Sequence, residues 1–206
     1  MDLRSIRSLP RAYQLFGDVI GAHASRRLLT DEYFRPKRGE KVLDIGCGPG
    51  SMVPYLDGAT YVGFDASAAY IAAAQREFRD RGTFICARVS ERTLDAPGTY
   101  DLVLASAILH HLDDEEADSL FELAAMALKP GGRLVTMDCA YVPEQRRLAR
   151  WIVSLDRGRH VRTPDGYTGF ASRVFADVQV HVRHDLLRIP YTHVILECRR
   201  PLRGQA

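Results

Sequence analysis

The chain has 206 residues, enough to bury one core and few enough for a single domain over 1–206. Hydrophobic residues make up 46% and charged residues 26%, the balance of an ordinary globular domain rather than of a disordered or membrane-spanning chain. A formal net charge of +2 does not by itself point to nucleic acid or to an anionic membrane, so the expected partner is a small-molecule substrate, with no nucleic acid and no membrane. The four cysteines, Cys47, Cys86, Cys139 and Cys198, are scattered without a C-x-x-C pair, which argues against a disulfide framework and a zinc site. The opening MDLRSIRSLPRAYQLF lacks the apolar core of a signal peptide, and no apolar run approaches about 18 residues. A cytoplasmic location is the resulting expectation.

Residues 9–30 read as a helical cap ahead of the first strand. Five short apolar runs follow: KVLDIG (41–46), TYVGFD (60–65), TFICA (83–87), YDLVLAS (100–106) and GRLVTMD (132–138). Each is rich in β-branched or aromatic residues and bounded by breakers, the pattern of a buried strand. Between them, SAAYIAAAQREFRD (67–80) sets Tyr70, Ile71, Ala74 and Phe78 at helical spacing. In DDEEADSLFELAAMALKPGG, Asp113 and Glu116 form a capping-box pattern, Ala117, Leu120, Phe121, Ala124 and Leu128 mark one face, and Pro130 and Gly131 end the helix. The acids at 113–116 suit the positive end of a helix better than a metal site, and no metal is expected. Residues 141–175 form a second segment outside the sheet. VQVHVRHDLL (178–187) and YTHVILECR (191–199) have only RIP between them, too short for a parallel crossover, so they pair antiparallel. The pattern predicts an α/β, Rossmann-like, mostly parallel sheet with helices on both faces and an antiparallel C-terminal hairpin.

VLDIGCGPGS (42–51) places Gly46, Gly48 and Gly50 directly behind the first strand. Glycine inside an element costs about 0.5–1 kcal/mol relative to alanine, so this cluster serves a tight turn or the close approach of a bound group. Ligands of open parallel sheets bind at the carboxyl ends of the strands, where this loop lies. The spacing is G-x-G-x-G, with Ser51 where the dinucleotide motif needs its third glycine, so a bound pyrophosphate fits poorly. Asp65 closes the next strand, where an acid can accept hydrogen bonds from both hydroxyls of a ribose. Loop and acid together point to an adenosine-type cofactor without a demanding phosphate site.

From residue 38 to 138, about half of the chain, the sequence resembles the class I S-adenosylmethionine-dependent methyltransferases. The resemblance is carried by VLDIGCGPG, YVGFDAS, YDLVLASAILHHL and LKPGGRLVTMD, four motifs in order. It implies a seven-stranded sheet of order 3-2-1-4-5-7-6, S-adenosyl-L-methionine as cofactor, and a substrate lid built from the N-terminal cap and the 141–175 segment. It further implies that Gly46, Cys47 and Gly48 line the methionine part of the cofactor and that Asp44 holds the loop or reaches the amino group through water. Asp65 would take the ribose hydroxyls, Ala66 would pack beside the adenine, and Ser106 would lie near the methionyl group. One position departs from the family pattern: Arg88 stands where an acid often meets the adenine amino group, which leaves that contact to Val89 or Ser90.

His110 and His111 are the candidate bases, since an ordinary histidine pKa near 6.5 suits proton removal, with His111 the better placed. Both also precede a capped helix, where a ring can simply pack. Residues 141–173 carry seven arginines against Glu144, Asp156 and Asp165. They read either as a solvated amphipathic helix or as an arginine-lined pocket, including Arg146, Arg150, Arg159 and Arg162, for an anionic acceptor. Trp151 and Tyr167 are candidate apolar walls of that pocket. The Asn/Asp-Pro-Pro-Tyr signature of many amino-group methyltransferases is absent, with ASAI in its place. A small molecule is therefore the expected acceptor; an RNA or protein acceptor, a non-catalytic cofactor-binding protein and a nicotinamide oxidoreductase are the alternatives.

Overall fold

The computed structural model describes residues 21–90, 94, 98–156 and 158–201. Seven strands form one sheet: β1 (Lys41–Ile45), β2 (Thr60–Asp65), β3 (Thr83–Cys86), β4 (Tyr100–Ser106), β5 (Leu128–Cys139), β6 (Phe175–Arg183) and β7 (His193–Pro201). Their order is β3-β2-β1-β4-β5-β7-β6, parallel through β5, with β7 antiparallel to both of its neighbours. Fold class and strand order are those expected from the sequence. Helices α1 (Ala22–Leu29), α2 (Ala68–Phe78), α3 (Asp114–Ala127), α4 (Arg147–Ser154) and α5 (Pro164–Val174) complete the described secondary structure, apart from short turns. Of the expected N-terminal cap, residues 9–20 lie outside the described residues.

Successive strand residues point to opposite faces, so the apolar runs feed two cores. Leu43, Val103 and Leu196 pack with Phe121 of α3 and Phe170 of α5 on one side. Val42, Leu102 and Ile195 pack with Leu29 of α1 and Ile71 and Phe78 of α2 on the other. At the start of α3, Asp113 accepts from the Glu116 N–H at 2.9 Å while Glu116 accepts from the Asp113 N–H, the reciprocal cap read from the sequence.

Three boundaries differ from the sequence reading. Helix α3 ends at Ala127, before Pro130, because the carbonyls of Met126 and Ala127 accept from Gly98 and Thr99 and Leu128 already pairs with Tyr100. The C-terminal hairpin turns over residues 184–192 rather than over RIP. Leu186 leaves the strand to join the second core, and Arg183 pairs with Asp185 at the turn. The 141–175 segment also divides. Its last part, α5, packs on α3 and β6 and is tied to α3 by Arg173 and Asp118, so it covers the sheet, whereas α4 and its flanks lie over the strand ends.

Arg133 of β5 fastens the 34–40 segment, which links α1 to β1, to the sheet. Its guanidinium donates to the Phe34 and Arg35 carbonyls at 2.7 and 2.9 Å and to both Glu40 oxygens at 3.1 Å. Partial burial pushes the Glu40 carboxyl up, but the bonds from Arg133 outweigh it and hold it below its ordinary 4.5. A lowered carboxylate pKa contributes stability that is present above the ordinary value and lost as pH falls through the folded one. Arg133→Met should therefore cost about 3 kcal/mol in urea unfolding at pH 7. The gap to the unmodified protein should narrow as the pH is lowered below 4.5.

Candidate active site

The glycines behind β1 all have positive φ, 76° at Gly46, 55° at Gly48 and 77° at Gly50, but they serve different needs. A Cβ on Gly46 would stand 2.4 Å from Ile108 Cδ1, and one on Gly50 2.9 Å from the Phe78 ring. These two let other elements close on the loop. A Cβ on Gly48 would meet nothing within 4 Å. Gly48 instead faces a cavity of about 870 Å³ that opens over the carboxyl ends of β1, β2, β4 and β5.

The cofactor residues expected from the sequence, from Asp44 and the glycine loop to Asp65, Ala66, Arg88, Val89 and Ser106, line this one cavity together with His110 and His111, whereas Ser90 does not. Asp65 joins two of its walls, with Oδ2 accepting from the Gly48 N–H at 2.9 Å and Oδ1 from the Ser67 N–H at 2.7 Å. Asp44 is 2% exposed and accepts from the Tyr61 hydroxyl at 2.7 Å. Cys47 fills the space left by the bare backbone of Gly63, where a Cβ would lie 2.8 Å from its Sγ. Burial pushes the Cys47 thiol far above its ordinary range, so it is a filler and not a nucleophile. The far wall holds Ala66, Ala87 and Val89. Arg88 there is paired with Glu116 at the start of α3, which returns an acid to the side where the third strand lacks one. At the end of β4 the buried Ser106 hydroxyl has no hydrogen-bond partner among the described residues, and Ala107 follows in a left-handed conformation at φ 56°. Such strain persists where surrounding structure enforces it, here through the Ala107 N–H bond to the Met137 carbonyl at 2.7 Å.

The two histidines diverge. His110 is 4% exposed, and its Nδ1 lies 2.5 Å from Asp138 and its Nε2 3.3 Å from Asp156. Burial opposes its charge, but hydrogen bonds to Asp138, Asp156 and Cys139 outweigh it and raise its pKa to about 12. An imidazolium committed at both nitrogens cannot accept a proton, so the expectation of His110 as a base is corrected. The His110, Cys139 and Asp156 donor atoms lie within 4.8 Å of one another, the closest approach to a metal-ligand set among the described residues. His111 lies on the exposed side of the same turn and remains on the cavity wall, its ring centroid 4.1 Å from that of His110.

Sequence reasoning missed the far end of the cavity. Tyr191 donates to Asp156 at 2.9 Å, and His193 is buried beside this cluster, its pKa lowered to about 4 by burial and by the charge on His110. Asp156 and Tyr191 carry no local motif, and Asp138 ends the fifth-strand motif without a role assigned to it; only the fold brings the three to His110. The arginine pocket is likewise corrected. Of the arginines, Arg26 and Arg88 line the cavity, whereas Arg162 donates to the Leu109, Leu112 and His160 carbonyls and to Asp114, and Arg150 stacks over Tyr141. Trp151 is 59% exposed and lies away from the cavity, and Tyr167 is core, so neither forms a pocket wall.

The family model described as a methyltransferase domain matches residues 42–132, the stretch that builds the glycine loop, Asp65 and the β4 end. This stretch, 91 of the 206 residues, carries the resemblance to the class I S-adenosylmethionine-dependent methyltransferases. It is 35% identical over 115 residues to a ribosomal RNA small subunit methyltransferase C of Chromohalobacter salexigens, a match covering 53% of this chain and 34% of that one. It is 34% identical over 119 residues to a ubiquinone biosynthesis O-methyltransferase of Chelativorans sp., covering 56% and 45%. The chain thus spans less than half the length of either relative. A TehB-like S-adenosylmethionine-dependent methyltransferase of Corynebacterium glutamicum shares the fold at TM-score 0.64 and 16% identity, over 93% of this chain and 98% of that one. No helix among the described residues is long and apolar enough to cross a membrane.

Burial raises the pKa of Asp44 from 3.8 to about 6, against the opposing hydrogen bond from Tyr61. A raised folded-state pKa contributes stability that is fully present below the ordinary value and lost as pH rises through the folded one. Asp44→Asn cannot ionise, so it should melt higher than the unmodified protein above pH 6, with the difference closing toward pH 4. Melting curves across that range check the assignment.

Proposed function

We propose that the protein binds S-adenosyl-L-methionine in this cavity and transfers its methyl group to a small-molecule acceptor. The observation that carries the reading is the single cavity joining the glycine loop and Asp65 at one end to His111, Asp156 and Tyr191 at the other. Its volume falls within the roughly 300–1,000 Å³ usual for small-molecule sites. Carboxylate Asp65 would receive the ribose hydroxyls while bracing the loop, and Ala66, Val89 and the Arg88–Glu116 pair would hold the adenine. Bound there, the cofactor supplies an activated methyl on a sulfonium, and the protein's contribution is alignment in a dry site, which can account for about 7–11 kcal/mol of barrier.

At the acceptor end, Met137, Ile152, Leu155, Leu187 and Ile189 supply apolar walls, with the polar groups gathered at one side. This lining suits an apolar body carrying a single polar group, and the match to a ubiquinone biosynthesis O-methyltransferase agrees with a hydroxyl. An anionic acceptor held by Arg146, Arg150, Arg159 and Arg162 does not fit, because none of these lines the cavity. The identity to a ribosomal RNA methyltransferase keeps RNA as the second reading.

The test is incubation with S-adenosylmethionine carrying a labelled methyl group and separate pools of small hydrophobic metabolites, RNA and protein. Label in the first pool supports the proposal, and label confined to RNA or protein overturns the acceptor class. Two variants probe the site. The Cβ of Gly48→Val would meet nothing within 4 Å, so beyond about 1–2 kcal/mol of backbone strain the substitution should leave the fold intact while abolishing S-adenosylhomocysteine binding by calorimetry. His111→Ala should slow turnover by about 10²–10⁴-fold with cofactor affinity unchanged, the usual cost of losing a general base.

A further inference from the structure

Some arginines of this chain meet carboxylates and others do not; the second group includes Arg38, Arg76, Arg79, Arg146, Arg159 and Arg200 among the described residues, besides a cluster near the cavity. Arg133, Arg162, Arg173 and Arg183 each meet a carboxylate: Glu40, Asp114, Asp118 and Glu32. Arg26 and Arg27 on α1, Arg147 and Arg150 on α4 and Arg188 in the 184–192 loop make no ion pair among the described residues. These three elements border one cavity, since Ser25 and Leu29, Ile152 and Leu155, and Leu187 and Ile189 all line it. The Arg188 side chain also lies where a Cβ on Gly21 would touch it, at 3.0 Å, at the very start of α1. A net charge of +2 for the whole chain thus coexists with five arginines without an ion-pair partner among the described residues on elements that border the cavity.

The same elements carry the largest exposed apolar side chains of the described residues. Leu148 is 51% exposed, Trp151 59% and Leu155 46%. Spaced at i, i+3 and i+7, they form one stripe, while Ala149 and Val153 bury the other side of α4 against the body. Arg147 and Arg150 flank the stripe. Water is a poor environment for such a face, and a second copy of the chain in a two-fold contact would bring arginine against arginine. An anionic lipid surface satisfies both parts: apolar side chains below the headgroups, guanidinium groups among the phosphates, and tryptophan at the boundary it favours.

We propose that α4 and the elements that border the cavity with it dock on an anionic phospholipid surface, with the mouth of the cavity facing the bilayer. This replaces the expectation of no membrane partner drawn from net charge. Docking does not depend on the methyl-transfer reading, although that reading would let an apolar acceptor pass from the lipid into the cavity.

Trp151 is the only tryptophan of the chain, so its fluorescence reports on the stripe directly. The intact protein is mixed with vesicles of phosphatidylglycerol and phosphatidylcholine, and separately with pure phosphatidylcholine vesicles. Docking predicts a blue shift of Trp151 emission and quenching by brominated lipid with the anionic vesicles alone, weakening as salt is raised. The double variant Arg147→Glu/Arg150→Glu should lower partitioning at least about tenfold, on the scale of about a kcal/mol for each basic residue at such a surface. Trp151→Ala, followed by sedimentation, should weaken it too. Both variants change exposed positions outside the cavity and should keep their melting temperature and their shift with S-adenosylhomocysteine. Absence of co-sedimentation, equal binding to neutral vesicles, or a Trp151 emission already shielded without vesicles would each overturn the proposal. The last result would mean that a second copy or another part of the chain covers the stripe.

Discussion

The parallel pairing of β1 with β2 on one side and β4 on the other is the constraint on which the rest depends. Leu43 stands level with Val62 and with Val103, so the carboxyl ends of all three strands stop at one height. Beyond β1 the strand order reverses, and the chains leaving β1 and β4 must part in opposite directions, which opens a crevice. The loop after β1 turns within this crevice by means of three left-handed glycines, and the loop after β4 by means of Ala107. Ile108 then closes on Gly46 at a distance no side chain would allow. The cavity is a consequence of sheet topology, and its chemistry comes from the residues that end each strand.

A second interaction ties the two sides of that crevice together. Asp138, at the end of β5, accepts from the backbone N–H of His110 at 3.1 Å as well as from its ring. The ring reaches across to Asp156, and the His110 carbonyl accepts from the His160 N–H at 3.0 Å. Gly158 packs directly on the ring, where a Cβ would stand 2.1 Å from it. Arg162 completes the attachment through the carbonyls of Leu109 and Leu112. His110 is thus a buried cation that fastens the segment after α4 to the turn after β4, and removing either carboxylate would leave charge uncompensated in a dry site. Fastened there, α4 offers one face to the cavity and the other to its surroundings.

Much of this was legible beforehand. The five parallel strands follow from short runs of β-branched and aromatic residues between breakers, and β2 and β4 have the expected limits. The capping box at Asp113 and Glu116 needs only four neighbouring residues, and the glycine loop with Asp65 needs one strand pair. Where the reading slipped, a distant partner had intervened. The end of α3 was drawn back by pairing between Leu128 and Tyr100, and the HDLL stretch was pulled from its strand by the burial of Leu186.

The sequence by itself determined the elements, their alternation and the cofactor-type loop, because these depend on local periodicity, caps and backbone freedom within a few residues. Tertiary structure decided what the polar residues do. His110 and His111 are chemically identical neighbours, yet one is sealed between carboxylates brought from β5 and from beyond α4, while the other faces the cavity. The arginines of the 141–175 segment are equally alike in sequence. Those that meet acids or carbonyls became structural, and those on the outer side of α4 make no ion pair among the described residues. Charge, burial and reach are properties of the assembled molecule, since each depends on groups that only the fold brings together.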